Sequence, residues 1–107
     1  MDRIVKPVFW TTRASKDLMK SLKFNTQLYG LKKAKEIAYN LRKLTDILEN
    51  PKYDFTEIGS IDEDFTHLKH TYRKLIERNY KITYREGKTK IYIVRVFDTH
   101  QNPKKNK

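Results

Sequence analysis

The sequence predicts an α+β domain: a short N-terminal strand, an antiparallel helical hairpin, and a three-stranded antiparallel meander forming one sheet packed on the helices. Three observations predict it. Apolar residues recur at close to helical spacing from about residue 12 to residue 48, interrupted by one glycine, Gly30. From Tyr72 the period changes to two and holds through three runs, YRKLIE, YKITYRE and KIYIVRVF. Ahead of the helices stands IVKPVFWT, residues 4–11, whose Pro7 donates no ladder hydrogen bond and so places that strand at a sheet edge or a bulge.

Thr12 offers a hydroxyl N-cap for the first helix, with Leu18, Met19, Leu22, Leu28 and Tyr29 on its apolar side and Gly30 as its C-terminal stop. The second helix follows at once, its buried face marked by Leu31, Ala34, Ile37, Ala38, Leu41, Leu44, Thr45 and Leu48, and Asn50-Pro51 ends it. A one-glycine linker folds the two helices back on each other. Residues 51–69 read as loop, with one short strand near Phe55 to Ile58. Hairpin turns are expected at Arg78-Asn79 and at Glu86-Gly87-Lys88. In the middle strand Tyr80, Ile82 and Tyr84 share one face, leaving Lys81, Thr83 and Arg85 on the other. The last strand is apolar on both faces apart from Arg95, as suits an interior strand. The whole of residues 1–107 is expected to be a single domain, with 104–107 a disordered basic tail.

Composition narrows the function. The chain has no cysteine, so it has neither a disulfide framework nor a thiolate metal site. There is no leader-like start and no apolar run approaching a membrane span, which predicts a cytoplasmic protein with no membrane partner. The formal charge is +11 and uneven: Lys and Arg number 11 against 5 acids in residues 1–50, 2 against 5 in 51–69, and 11 against 3 in 70–107. A basic surface of this density suits a polyanion, either nucleic acid or an acidic protein segment.

With the helices covering one face of the sheet, the other is expected to be shallow, open and basic, with Lys81, Arg85, Arg73 and Arg95 projecting from it. RNA cleavage through the ribose 2′-oxygen needs a base, cations for the phosphorane and an acid. His100 could move the proton, since imidazole titrates close to neutral pH. The arginines and Lys81 could hold phosphate. Tyr72, Tyr80, Tyr84 and Tyr92 could stack bases or simply fill core and cross-strand positions. His67-x-x-His70 has no third ligand nearby, so no metal is expected, and there is no glycine-rich phosphate loop. Asp98 is expected to accept backbone N–H groups in the turn before Pro103.

The segment YRKLIERNYKITYREGKTKIYIVRVFDTHQNPKK resembles the C-terminal pattern of the RelE/ParE superfamily of toxins from bacterial type II toxin-antitoxin systems. TTRASKDLMKSL is similar to that family's first-helix opening, and LENP to the close of its second helix. The resemblance runs from about Val8 to Lys104. It implies a RelE/ParE-like fold, no cofactor, and a cognate acidic antitoxin as partner. Two activities are implied: metal-independent endoribonuclease cleavage of mRNA on the ribosome, which is the leading expectation, or ParE-like non-enzymatic inhibition of DNA gyrase. A degenerate toxin that only binds its antitoxin is a third. The resemblance matches Arg73 to an arginine of the family's penultimate-hairpin strand, Lys81 to its phosphate-binding cation and His100 to the residue that transfers the proton or stabilises phosphate; with Arg85 from the basic face these form the expected catalytic site, and Lys74, Arg95, Lys104 and Lys105 are expected to bind RNA.

Overall fold

A computed structural model of the chain describes residues 6–49, 59–65 and 70–99. Strand β1 (Val8–Trp10) leads into helix α1 (Thr12–Tyr29) and helix α2 (Leu31–Leu44), which tightens into a 3-10 turn over Thr45–Glu49. Strand β2 (Ser60–Ile61) and a 3-10 turn at Glu63–Phe65 precede β3 (Arg73–Glu77), β4 (Tyr80–Glu86) and β5 (Ile91–Asp98). All five strands join one sheet in the order β1-β5-β4-β3-β2. The meander is antiparallel as expected, whereas β1 lies parallel to β5, with Val8, Phe9 and Trp10 opposite Ile91, Tyr92 and Ile93. A parallel pair needs a long crossover, and the helical hairpin supplies part of it.

The helices cover one sheet face. Ala14 and Leu18 of α1, Leu41 of α2 and Leu48 pack with Leu75, Ile82, Tyr84, Ile91, Ile93 and Val96 in a single core. The apolar face expected for α2 is the one it buries, except that Leu31 is exposed. For α1 the outcome differs. Its cap is Thr11 rather than Thr12, the Thr11 hydroxyl accepting from the Ala14 N–H while donating to the Ile93 carbonyl. Its buried line is Ala14, Leu18, Ser21 and Asn25, while Met19, Leu28 and Tyr29 face outward. The cause is Tyr80, whose hydroxyl accepts from Asn25 Nδ2 at 2.6 Å and from Ser21 Oγ at 3.1 Å. A tyrosine reaching from the sheet demands polar partners on the helix above it.

Gly30 ends α1 and opens α2 with φ +89° and ψ 163°, and its carbonyl accepts the Ala34 N–H at 3.1 Å. The predicted turns form at residues 78–79, where Arg78 takes φ 56°, and at 87–90. The register of β4 on β5 slips once, between Thr83 and Tyr84, so that Val94 is an extra residue in β5. The expected strand near Phe55 to Ile58, the helix stop at Asn50-Pro51 and the tail 104–107 lie outside the described residues; β2 was not anticipated.

Candidate functional site

Register fixes which side chains share the face away from the helices. Directly opposed residues point the same way, so Lys81 with Phe97 and Ile76, Thr83 with Arg95 and Lys74, and Arg85 with Tyr92 form one surface. Arg73 does not belong to it. It stands opposite Tyr84 and two positions from Leu75, on the helix-facing side, and donates to the Gly59 carbonyl at 3.2 Å. The expectation that Arg73 projects beside Lys81 is therefore corrected by the alternation of β3.

The expectation of an open, freely charged face is corrected as well. The acidic turn after β2 lies over β4 and β5. Asp62 and Asp64 take Lys81 Nζ at 3.0 and 2.9 Å, and the ammonium also lies 5.0 Å from the ring centre of Phe97 and 5.6 Å from that of Phe65. Lys81 is 3% exposed and Asp62 1%. The second oxygen of Asp62 accepts the Thr83 hydroxyl at 2.6 Å, the Asp62 N–H donates to the Tyr72 carbonyl, and the Asp64 N–H donates to Asp62 Oδ1. Phe65 closes the turn against Tyr72 and Phe97. A buried charge persists only when paired and hydrogen-bonded, and here two carboxylates and two aromatic rings surround the ammonium.

Arg95 is engaged too. Strand β1 stops at Trp10, opposite Ile93, so the Val96 N–H has no strand partner there; Asp17 of α1 accepts it at 3.0 Å. The same carboxylate takes Arg95 Nε at 2.8 Å, and the guanidinium lies 4.5 Å from the centre of the Phe97 ring. Arg85 stacks on Tyr92 at 4.6 Å, and Lys74 is half-buried on the same surface. Asp98 accepts from the Asn79 side-chain amide at 2.7 Å, tying the β3–β4 turn to the end of β5, while the Asn79 carbonyl takes both the N–H and the hydroxyl of Thr99. Of the four tyrosines expected there, Tyr80 and Tyr84 are core residues, while Tyr92 and Tyr72 reach this side. His100, Lys104 and Lys105 lie outside the described residues, as does His67; His70 is exposed beside Tyr72.

Of the expected set, the structure thus brings Lys74, Lys81, Arg85 and Arg95 to one face. It neutralises Lys81 and Arg95 with carboxylates far from them in sequence, Asp62 and Asp64 for the first and Asp17 for the second. The signal was present in part, as the acidic run DED at 62–64 in a chain whose next segment is basic.

A concave feature lies elsewhere, a cleft of about 500 Å³ between the tip of the helical hairpin and the β3–β4 turn, lined by Asn25, Tyr29, Ile37, Leu41, Arg78 and Tyr80 among others. Leu28, Tyr29 and Leu31 are exposed around Gly30 at that tip.

The two-helix hairpin on an antiparallel meander, its edge completed by a parallel N-terminal strand, is a fold shared with a solved structure. A chain of the solved structure described as "Chromosomal ParDE TA system from P. aeruginosa" superposes with a TM-score of 0.72, covering 88% of this chain and 96% of that one at 20% sequence identity. No protein-family model and no curated protein matches the sequence.

Proposed function

We propose that this chain is the toxin of a type II toxin-antitoxin pair and that it acts by binding a protein target rather than by cutting mRNA. The toxin assignment is supported by the ParDE likeness together with the ordered motifs of the sequence. The observation that carries the choice of mechanism is the state of Lys81. A phosphate-clamping cation must meet the phosphorane directly, yet this one is buried, paired with two carboxylates and flanked by the Phe65 ring. Arg73, the second cation expected at a cleavage centre, sits on the opposite sheet face. The exposed apolar tip at Leu28, Tyr29 and Leu31 and the cleft beside it fit a protein partner such as an antitoxin. DNA gyrase is the target that the ParE-like resemblance implies.

The mRNA-cleavage reading keeps one observation in its favour, Arg85 stacked on Tyr92 with Lys74 on the same surface. Inducing the chain alone, with mRNA 5′ ends mapped and the SOS response followed, separates the two. Growth arrest with intact mRNA and induced SOS is the expected result. New 5′ ends at ribosome-bound codons, abolished by His100→Ala or Arg85→Ala, would overturn it in favour of cleavage. Absence of any growth effect would leave only an antitoxin-binding role.

A further inference from the structure

The positive charge that the sheet face neutralises reappears, unneutralised, on the outside of α1. Arg13, Lys16, Lys20 and Lys23 are spaced by three, four and three residues, so they form one stripe along the helix, and all four are exposed. The only acid of α1 is Asp17, already held by Arg95 and the Val96 N–H; its contact with Arg13 is 3.8 Å, and Lys16, Lys20 and Lys23 have no ion pair among the described residues. Thr12 and Ser15 place hydroxyls beside the stripe, and Met19 lies within it, the group lining a shallow groove of about 340 Å³.

The geometry points to a docking surface on α1 for the phosphate backbone of duplex DNA, read without regard to sequence. Lysine is depleted at protein–protein contacts but is a usual phosphate neutraliser, which favours nucleic acid over an acidic peptide. The groove has no aromatic lining, so the base stacking that holds single strands is unavailable. The stripe from Arg13 to Lys23, ten residue steps, spans about 15 Å, enough to follow one strand's backbone but short of the two minor grooves over which RNA duplexes are recognised. Hydroxyls and ammonium groups together are what positions a protein on phosphates. The surface does not depend on the toxin reading, since it uses none of the residues on which that reading rests.

The test is fluorescence anisotropy of a short labelled duplex of arbitrary sequence, titrated with the full chain at several salt concentrations. Two triple variants lose the same charge: Lys16→Gln/Lys20→Gln/Lys23→Gln on α1, and Lys32→Gln/Lys33→Gln/Lys35→Gln on α2. Each phosphate contact contributes about 0.9 to the slope of log K against log salt, so the α1 triple is expected to flatten that slope by about 2 to 3 and the α2 triple by less than about 1. Thermal melts by circular dichroism check that both variants fold, and the single reversal Lys20→Glu, expected to weaken binding at least as much as removal of one contact, covers a triple that does not. Equal losses in the two triples would reduce the effect to net charge and overturn the assignment. So would absence of duplex binding, or tighter binding of single-stranded RNA or polyglutamate than of duplex through the same lysines.

Discussion

Lys81 shows how far one residue's meaning depends on what lies across from it. In the sequence it is a cation on the polar side of an alternating strand; in the fold it is the centre of a cage made by Asp62, Asp64, Thr83, Phe65 and Phe97. Removing one member of a buried pair leaves the other charge uncompensated, at a cost of about 3–5 kcal/mol. Lys81→Ala is accordingly expected to destabilise the protein by that amount, read as a fall in the midpoint of urea unfolding. The double variant Lys81→Met/Asp62→Asn should recover part of the loss, because no unpaired charge remains at the buried position and Asn can still meet the Thr83 hydroxyl. A Lys81→Ala protein of unchanged stability would show that the ammonium is not held as described and would return it to the list of available cations.

At the scale of elements, the polar strand-helix contacts were the hardest to foresee and the local stops the easiest. Gly30 was legible because a single glycine between two helical periods leaves few alternatives, and its backbone occupies a region close to glycine-only, φ +89° and ψ 163°. A Cβ placed there meets no atom within 4 Å, so any penalty on Gly30→Ala comes from backbone strain alone. The expected cost is about 1–3 kcal/mol by urea denaturation, with the α-helical circular dichroism of the native protein unchanged. A neutral Gly30→Ala would mean that the hairpin relaxes to a different connection. The meander was equally legible, since β-branched residues at period two and short polar turns are local signals. By contrast, the inward line of α1 is hidden from periodicity, because Ser21 and Asn25 are polar in the sequence and become core only under the Tyr80 hydroxyl. The cover over Lys81 is hidden for the same reason: two carboxylates from residues 62–64 meet a strand about twenty positions later, and nothing in local periodicity encodes that distance. Asp17 belongs with them, its role created by the early end of β1.

For the whole molecule, the decisive contact is the one that closes the chain on itself. Strand β1 pairs with β5 across 83 positions of sequence, as Val8 opposite Ile91 shows, and it cannot do so until the last strand of the meander is in place. The only tryptophan sits in β1. Trp10 Nε1 donates to Thr45 Oγ1 at 3.3 Å and the Arg42 guanidinium lies 4.9 Å from the ring centre, so its indole senses β1, the end of α2 and the following turn together. If the chain is one cooperative unit, as domains under about 150 residues usually are, the longest-range pairing and the helices must be lost in the same transition. Tryptophan fluorescence and helical circular dichroism followed through one urea titration are therefore expected to give a single midpoint. A fluorescence change at distinctly lower urea would show that β1 detaches by itself. The exposed β5 edge would then be a surface of the native ensemble rather than an interior seam, open to a strand from a partner protein.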